Sequence, residues 1–181
     1  MIYFWYRAFL ILIKRIFQKS ISTEDIFENT FRVGIFDCEG FRVMSAFKYA
    51  NYVEYNRWEF TVRSPIFKEI YLNGCSTATG SQKFIYRKPI KFWTVFKVRF
   101  KTVGWDDKWI YNVQVFEQNK EVKAMCISRS LVWKKDKPQI LRTILGNIGI
   151  HELERTPPSW VLEVFIHDKE SISQANENPF G

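Results

Sequence analysis

Between Ser45 and Arg63 the chain takes up a helical hydrophobic period, and this one long helix set among strands decides the architecture. Ala46, Tyr49, Ala50, Val53, Arg57 and Phe60 fall near steps of three and four, with Lys48, Asn51, Glu54 and Glu59 off that stripe. Nineteen residues make about 28 Å of helix at 1.5 Å each. Ser64-Pro65 ends it, and Ile66 to Leu72 reads as a further short helical piece closed by Asn73-Gly74.

The surroundings read as strand. Upstream, Phe31 to Phe36 is a short apolar stretch interrupted by Arg32 and Gly34, followed by the acidic turn Asp37-Cys38-Glu39-Gly40. Downstream, Cys75 to Lys88 is expected to be a strand. Lys97, Arg99 and Lys101 then alternate with Phe96, Val98 and Phe100, the period of a half-buried strand. Trp109, Tyr111, Val113 and Val115 mark the next. Asn119-Lys120 joins it to Val122–Trp133 as a hairpin. Pro138 to Leu145 and Trp160 to His167 read as short helices, and the polar tail from Glu170 is expected to be loose. One helix between strand runs calls for an antiparallel sheet curled around it, an α+β architecture. The expected division is an apolar helix over residues 1–21, one domain over 22–168 and a polar tail over 169–181.

At 181 residues, with 46% apolar and 18% aromatic content, the chain has enough material for a single core. The formal net charge of +8 attracts polyanions: nucleic acid, anionic lipid or a phosphorylated cofactor. Scattered Lys and Arg that merely solvate strand faces explain it equally well. No nucleic-acid-binding motif is present, so nucleic acid is not an expected partner. Cys38, Cys75 and Cys126 are odd in number and widely spaced, which points to a reducing compartment such as the cytoplasm. The histidines, His151 and His167, show no metal-ligand spacing, so no zinc site is expected. The apolar run from Met1 to Ile13 is too short to span a bilayer, which needs about 20 residues. It reads either as a helix packed on the domain or a partner subunit, or as an interfacial anchor giving peripheral membrane contact through Arg7, Lys14, Arg15 and Lys19.

The stretch Phe36-Asp37-Cys38-Glu39-Gly40 through Met44 to Tyr49 resembles the opening motif of hotdog-fold acyl-CoA thioesterases. It is similar to the 4-hydroxybenzoyl-CoA thioesterase type, and more so to the thioesterase superfamily member six type. There an Asp-x-Asp pair precedes a His-Met-Asn-Asn run, with a Tyr ten residues after the second acid. Asp37 and Glu39 stand as the pair, Tyr49 lies ten residues beyond Glu39, and Val43-Met44-Ser45-Ala46 occupies the polar run. Gln82-Lys83-Phe84-Ile85-Tyr86-Arg87-Lys88-Pro89 resembles the family's basic strand, and Gly104-Trp105-Asp106-Asp107-Lys108-Trp109-Ile110-Tyr111 resembles its Gly-Trp-Asp-x-Lys-Trp-Phe-Tyr stretch. The resemblance implies a hotdog fold, hydrolysis of an acyl-CoA or acyl-carrier-protein thioester without a cofactor, and assembly as a homodimer or dimer of dimers.

Thioester hydrolysis needs a carboxylate, as base or nucleophile, and donors aimed at the developing oxyanion. Glu39 precedes the expected helix N-terminus and Ser45 is placed to cap it, so these two are the catalytic candidates. Asp37, Met44, Tyr49, Lys83, Arg87 and Lys88 are the substrate-binding candidates, the three cations suiting the phosphates of coenzyme A. Asp37, in the turn itself, also reads as a turn or capping acid. Cys38 reads as a small half-buried residue at a strand end. Val43, Ser45 and Ala46 replace the family's His and two Asn. That substitution keeps open a second reading, a hotdog shell that binds acyl groups without cleaving them.

Overall fold

The computed structural model describes residues 9–11, 13, 20–135, 137–152 and 154–177. Among these, the main sheet has six strands. The first is β1 (Phe27–Arg32), and a two-residue hairpin, β2 (Cys38–Glu39) with β3 (Val43–Met44), forms a separate small sheet. The central helix α1 (Ala46–Arg63) comes next, then β4 (Ser76–Tyr86), β5 (Val95–Trp105), β6 (Ile110–Gln118) and β7 (Glu121–Lys134). The sheet order is β1-β5-β6-β7-β4, all antiparallel, with the short β8 (Lys137–Pro138) on β7. Asn119 and Lys120, at φ 53 and 61, form the tight turn expected between β6 and β7.

Alternation divides the sheet into two faces. Phe96, Val98, Phe116, Ala124 and Cys126 form one buried cluster with Tyr49, Tyr52, Val53 and Tyr55 of α1. On the opposite face Tyr111, Val113 and Ile127 pack against Val161 and Phe165, beside the short helix α3 (Ser159–Glu163). The helix is buried over more of its girth than a single stripe requires. Tyr49, Tyr52, Val53, Tyr55, Asn56, Glu59, Phe60 and Val62 are all interior, whereas Ala46 is exposed and Arg57 half-buried. Glu59, expected outside, is inside because Asn29 donates to it at 3.1 Å and Arg63 lies 3.7 Å away.

Three local expectations shift. The first strand runs over Phe27–Arg32, so Ile35 and Phe36 fall in a 3₁₀ turn, Ile35–Asp37, where both are exposed. The cause is a bend at Gly34, whose N–H donates to the Asp37 carboxylate at 2.9 Å. The helix expected from Pro138 begins at Leu141 as α2 (Leu141–Asn147), after the β8 pairing. The tail is not loose over 168–177: it forms α4 (Asp168–Glu177), with Asp168 paired to Lys83 at 2.8 Å and Arg129 at 2.9 Å. Of the expected N-terminal helix, Phe9, Leu10, Ile11 and Ile13 are helical and Ile11 is buried. Its remaining residues through Lys19, with Arg7, Lys14 and Arg15, lie outside the described residues. No helix among the described residues is long and apolar enough to cross a membrane. An antiparallel sheet curled around one long helix is the hotdog fold.

Candidate active site

The acidic turn is built from backbone bends that leave its two carboxylates in different surroundings. Asp37 closes the 3₁₀ turn, and its Oδ2 accepts from the Gly34 N–H at 2.9 Å and the Tyr52 hydroxyl at 2.7 Å. Lys48 Nζ lies 3.5 Å from Oδ1. Asp37 is thereby tied to the turn and to the central helix. The chain then runs into the β2–β3 hairpin, in register Cys38↔Met44 and Glu39↔Val43. Gly40 and Phe41, both at φ 58, reverse it. The Ser45 N–H donates to the Asp37 carbonyl at 2.8 Å, which seats the hairpin against the start of α1.

Glu39, one residue past Cys38, projects the other way. Its Oε1 accepts from the Ser45 hydroxyl at 2.6 Å, while the residue as a whole is exposed. Ser45 occupies the N-cap position of α1, with φ −65 and ψ 144, and is almost fully buried. Its hydroxyl does not cap the helix; it is given to Glu39, and no acidic residue stands in the first turn. The first N–H groups of a helix have no acceptor within it and carry its positive pole. Here they are left without a side-chain cap, beside a carboxylate held by one hydrogen bond.

Met44 and Tyr49 are core residues. Met44 donates its N–H to the Ile90 carbonyl at 2.8 Å, and the Ile90 N–H donates to the Tyr49 hydroxyl at 3.3 Å. Burial pushes the Tyr49 phenol above its ordinary range. Tyr49 packs edge-on against Tyr86 of β4, whose hydroxyl donates to the Ala46 carbonyl at 3.3 Å. The N-terminus of α1 therefore adjoins strand β4. Burial first, and Asp37 second, raise the pKa of the half-buried Cys38 thiol, which holds it as a neutral thiol.

The three cations do not converge. Lys83 is committed to Asp168 and to the Val164 carbonyl. Arg87 and Lys88 share Glu121, at 3.3 and 2.5 Å. Lys123 and Lys88 hold the Glu121 carboxyl down to about 2. A different polar group escaped the sequence reading: Asn56, Glu59 and Gln114, buried beside Asn29. Its signal was present, since Asn112 and Gln114 fall on the same alternate positions of β6 as the core residue Phe116.

Comparison with known proteins agrees with the hotdog shell. A model of the Thioesterase-like superfamily matches residues 33–144, more than half of the chain. The chain belongs to that superfamily. It is 25% identical over 103 residues to Protein THEM6 of Xenopus laevis; the match covers 56% of this chain and half of that protein. It superposes on the probable thioesterase YbaW of Escherichia coli with a TM-score of 0.62 and 15% identity, covering 67% of this chain and 98% of the other. The hypothetical protein SAV2348 of Staphylococcus aureus, solved in complex with CoA, gives 0.61 at 11% identity, covering 79% and 93%. At these identities the superpositions establish the fold alone.

Proposed function

We propose that the protein hydrolyses an acyl thioester of coenzyme A or of an acyl-carrier protein, with Glu39 as the reacting carboxylate. The observation that carries this reading is the 2.6 Å hydrogen bond from Ser45 to Glu39 beside a helix N-terminus without a side-chain cap. Glu39 takes a proton from water as the water oxygen bonds to the thioester carbon. The carbonyl oxygen gathers charge facing the first N–H groups of α1, where preformed dipoles stabilise it. The C–S bond then breaks, sulfur recovers the proton from Glu39, and free acid and thiol leave. Direct attack by Glu39, with water opening the resulting anhydride, uses the same groups. Ser45 fixes Oε1 and leaves Oε2 for the reaction. SAV2348, solved in complex with CoA, supports a CoA-type substrate, and Arg87 and Lys88 are its candidate phosphate partners once released from Glu121.

A second copy of the chain completes this site in our reading. Strand β4, eleven residues long, ends the sheet and among the described residues is paired with β7 alone. Tyr86 on that strand adjoins the α1 N-terminus, so strand addition there sets the site at a subunit junction. The three cysteines are unpaired, which supports a reducing compartment such as the cytoplasm. The competing reading, an acyl binder without turnover, draws on Val43 and Ala46, which offer no polar side chain where the family run is polar. The test is thiol release from a panel of acyl-CoAs by wild type, Glu39→Gln and Asp37→Asn. Loss in Glu39→Gln alone is the expected result. Equal rates in Glu39→Gln would remove Glu39 from the chemistry, and tight acyl-CoA binding with no thiol release would favour the binder.

A further inference from the structure

Three segments around the acidic turn are laced together by backbone hydrogen bonds. Trp93 N–H donates to the Val33 carbonyl at 3.1 Å, Val33 N–H to Thr94 at 3.0 Å, and Phe92 N–H to Arg42 at 2.9 Å. A bridge between Val43 and Lys91 closes the set. From this rim Phe36, Phe41 and Trp93 stand 88%, 67% and 61% exposed. Phe41 and Trp93 hold φ of 58 and 61, a conformation that bulky side chains rarely adopt. The fold thus strains its backbone at two places where the outcome is a large aromatic ring in water.

Surface cations divide into paired and unpaired ones, and three unpaired ones stand around these rings. Lys97, Lys88, Arg87 and Lys48 each pair with a carboxylate. Arg32, Arg42 and Lys91 are exposed and, among the described residues, form no ion pair. Arg32 lies 5.4 Å over the Trp93 ring. Aromatic side chains ringed by unpaired cations match the interface of an anionic bilayer, where rings enter the headgroup boundary and cations meet phosphates. A protein partner fits less well, because the core of a protein interface is depleted of charge. Nucleic acid fits less well too, since its stacking platforms are rings laid along a groove, not side chains projecting from turns.

We propose that the rim formed by Phe36, Phe41 and Trp93 with Arg32, Arg42 and Lys91 is a docking surface for anionic lipid membranes. It sets the mouth of the acidic turn against the bilayer. The test is sedimentation of the full chain with vesicles of phosphatidylcholine and phosphatidylserine, at about 3:1, and with phosphatidylcholine alone. Wild type should bind the anionic vesicles, and rising salt should weaken binding. Phe36→Ser/Phe41→Ser/Trp93→Ser should reduce the partition coefficient by about tenfold or more, and Arg42→Glu/Lys91→Glu by about three- to tenfold. Phe41→Gly supplies a control against misfolding: it relieves the positive φ, so Tm should hold or rise while binding still falls. Equal partitioning of wild type and the triple variant would overturn the proposal. So would absence of vesicle binding, whether the same variant then abolishes self-association, marking a contact between copies, or oligonucleotide binding.

Discussion

The two halves of the central helix treat polar groups in opposite ways. In the C-terminal half Asn56 and Glu59 are buried and hydrogen-bonded within the protein. Asn29 donates to Asn56 at 2.9 Å, Asn56 to the Val98 carbonyl and to Gln114 at 3.4 Å each, and Gln114 to the Val53 carbonyl at 3.2 Å. Arg63 stands in the last turn, where a cation suits the helix dipole, and the Ser64 N–H caps Phe60 and Thr61. At the N-terminal end the body of the helix is packed by Tyr49, Tyr52 and Val53, yet the pole itself is left without a side-chain cap and Glu39 is exposed beside it. A polar group satisfied inside the protein contributes to fold specificity. One left open at a rigid helix end is available to a substrate.

The largest expected effect that separates the two ends belongs to Glu39. Glu39→Gln keeps the shape and the Ser45 hydrogen bond but loses the basic carboxylate, and thiol release should fall by about 10²–10⁴-fold. Its Tm should stay close to wild type, because an exposed group is being changed. At the other end the pattern inverts. Asn56→Ala strips partners from Asn29 and Gln114 in a fully buried place and should cost about 2–3 kcal/mol in denaturant unfolding. Hydrolysis by the folded fraction should stay within about threefold of wild type. A large loss of turnover in Asn56→Ala at full folding would erase the distinction between the halves.

Asp37 probes the boundary between them. It is two residues from Glu39 but holds the turn to Tyr52 and Gly34, so Asp37→Ala should cost about 1–2 kcal/mol of stability. Its rate, measured where the variant is folded, should change far less than that of Glu39→Gln.

How much of this was legible depended on whether a residue's neighbours lie close in sequence. The helix over Ala46–Arg63 and the β6–β7 hairpin were visible because period and turn chemistry are local signals. The different surroundings of Asp37 and Glu39 do not follow from strand alternation, which sets residues two apart on one face; they arise because Asp37 closes the 3₁₀ turn before β2 begins. The start of β1 was misplaced because Val33 to Phe36 is apolar, although Phe36 is displayed and not buried. The Asn56–Gln114 pair spans 58 residues, and the Asp168 clamp reaches back to Lys83 and Arg129; both need the folded sheet to bring them together. For the same reason the pairing of Lys83 with Asp168 of the C-terminal helix could not be read from its strand.

Ser45 gives the smallest expected effect and the sharpest view of the open end. Ser45→Ala removes the 2.6 Å donor to Glu39 but leaves the carboxylate and the helix pole in place. If the hydroxyl only positions Glu39, thiol release should fall by about three- to tenfold, with KM nearly unchanged and the loss carried by kcat. Ser45→Thr, which keeps the hydroxyl, should restore much of the rate. A loss in Ser45→Ala as large as that in Glu39→Gln would instead make the hydroxyl itself a reacting group, and the division of labour at this end of the helix would have to be redrawn.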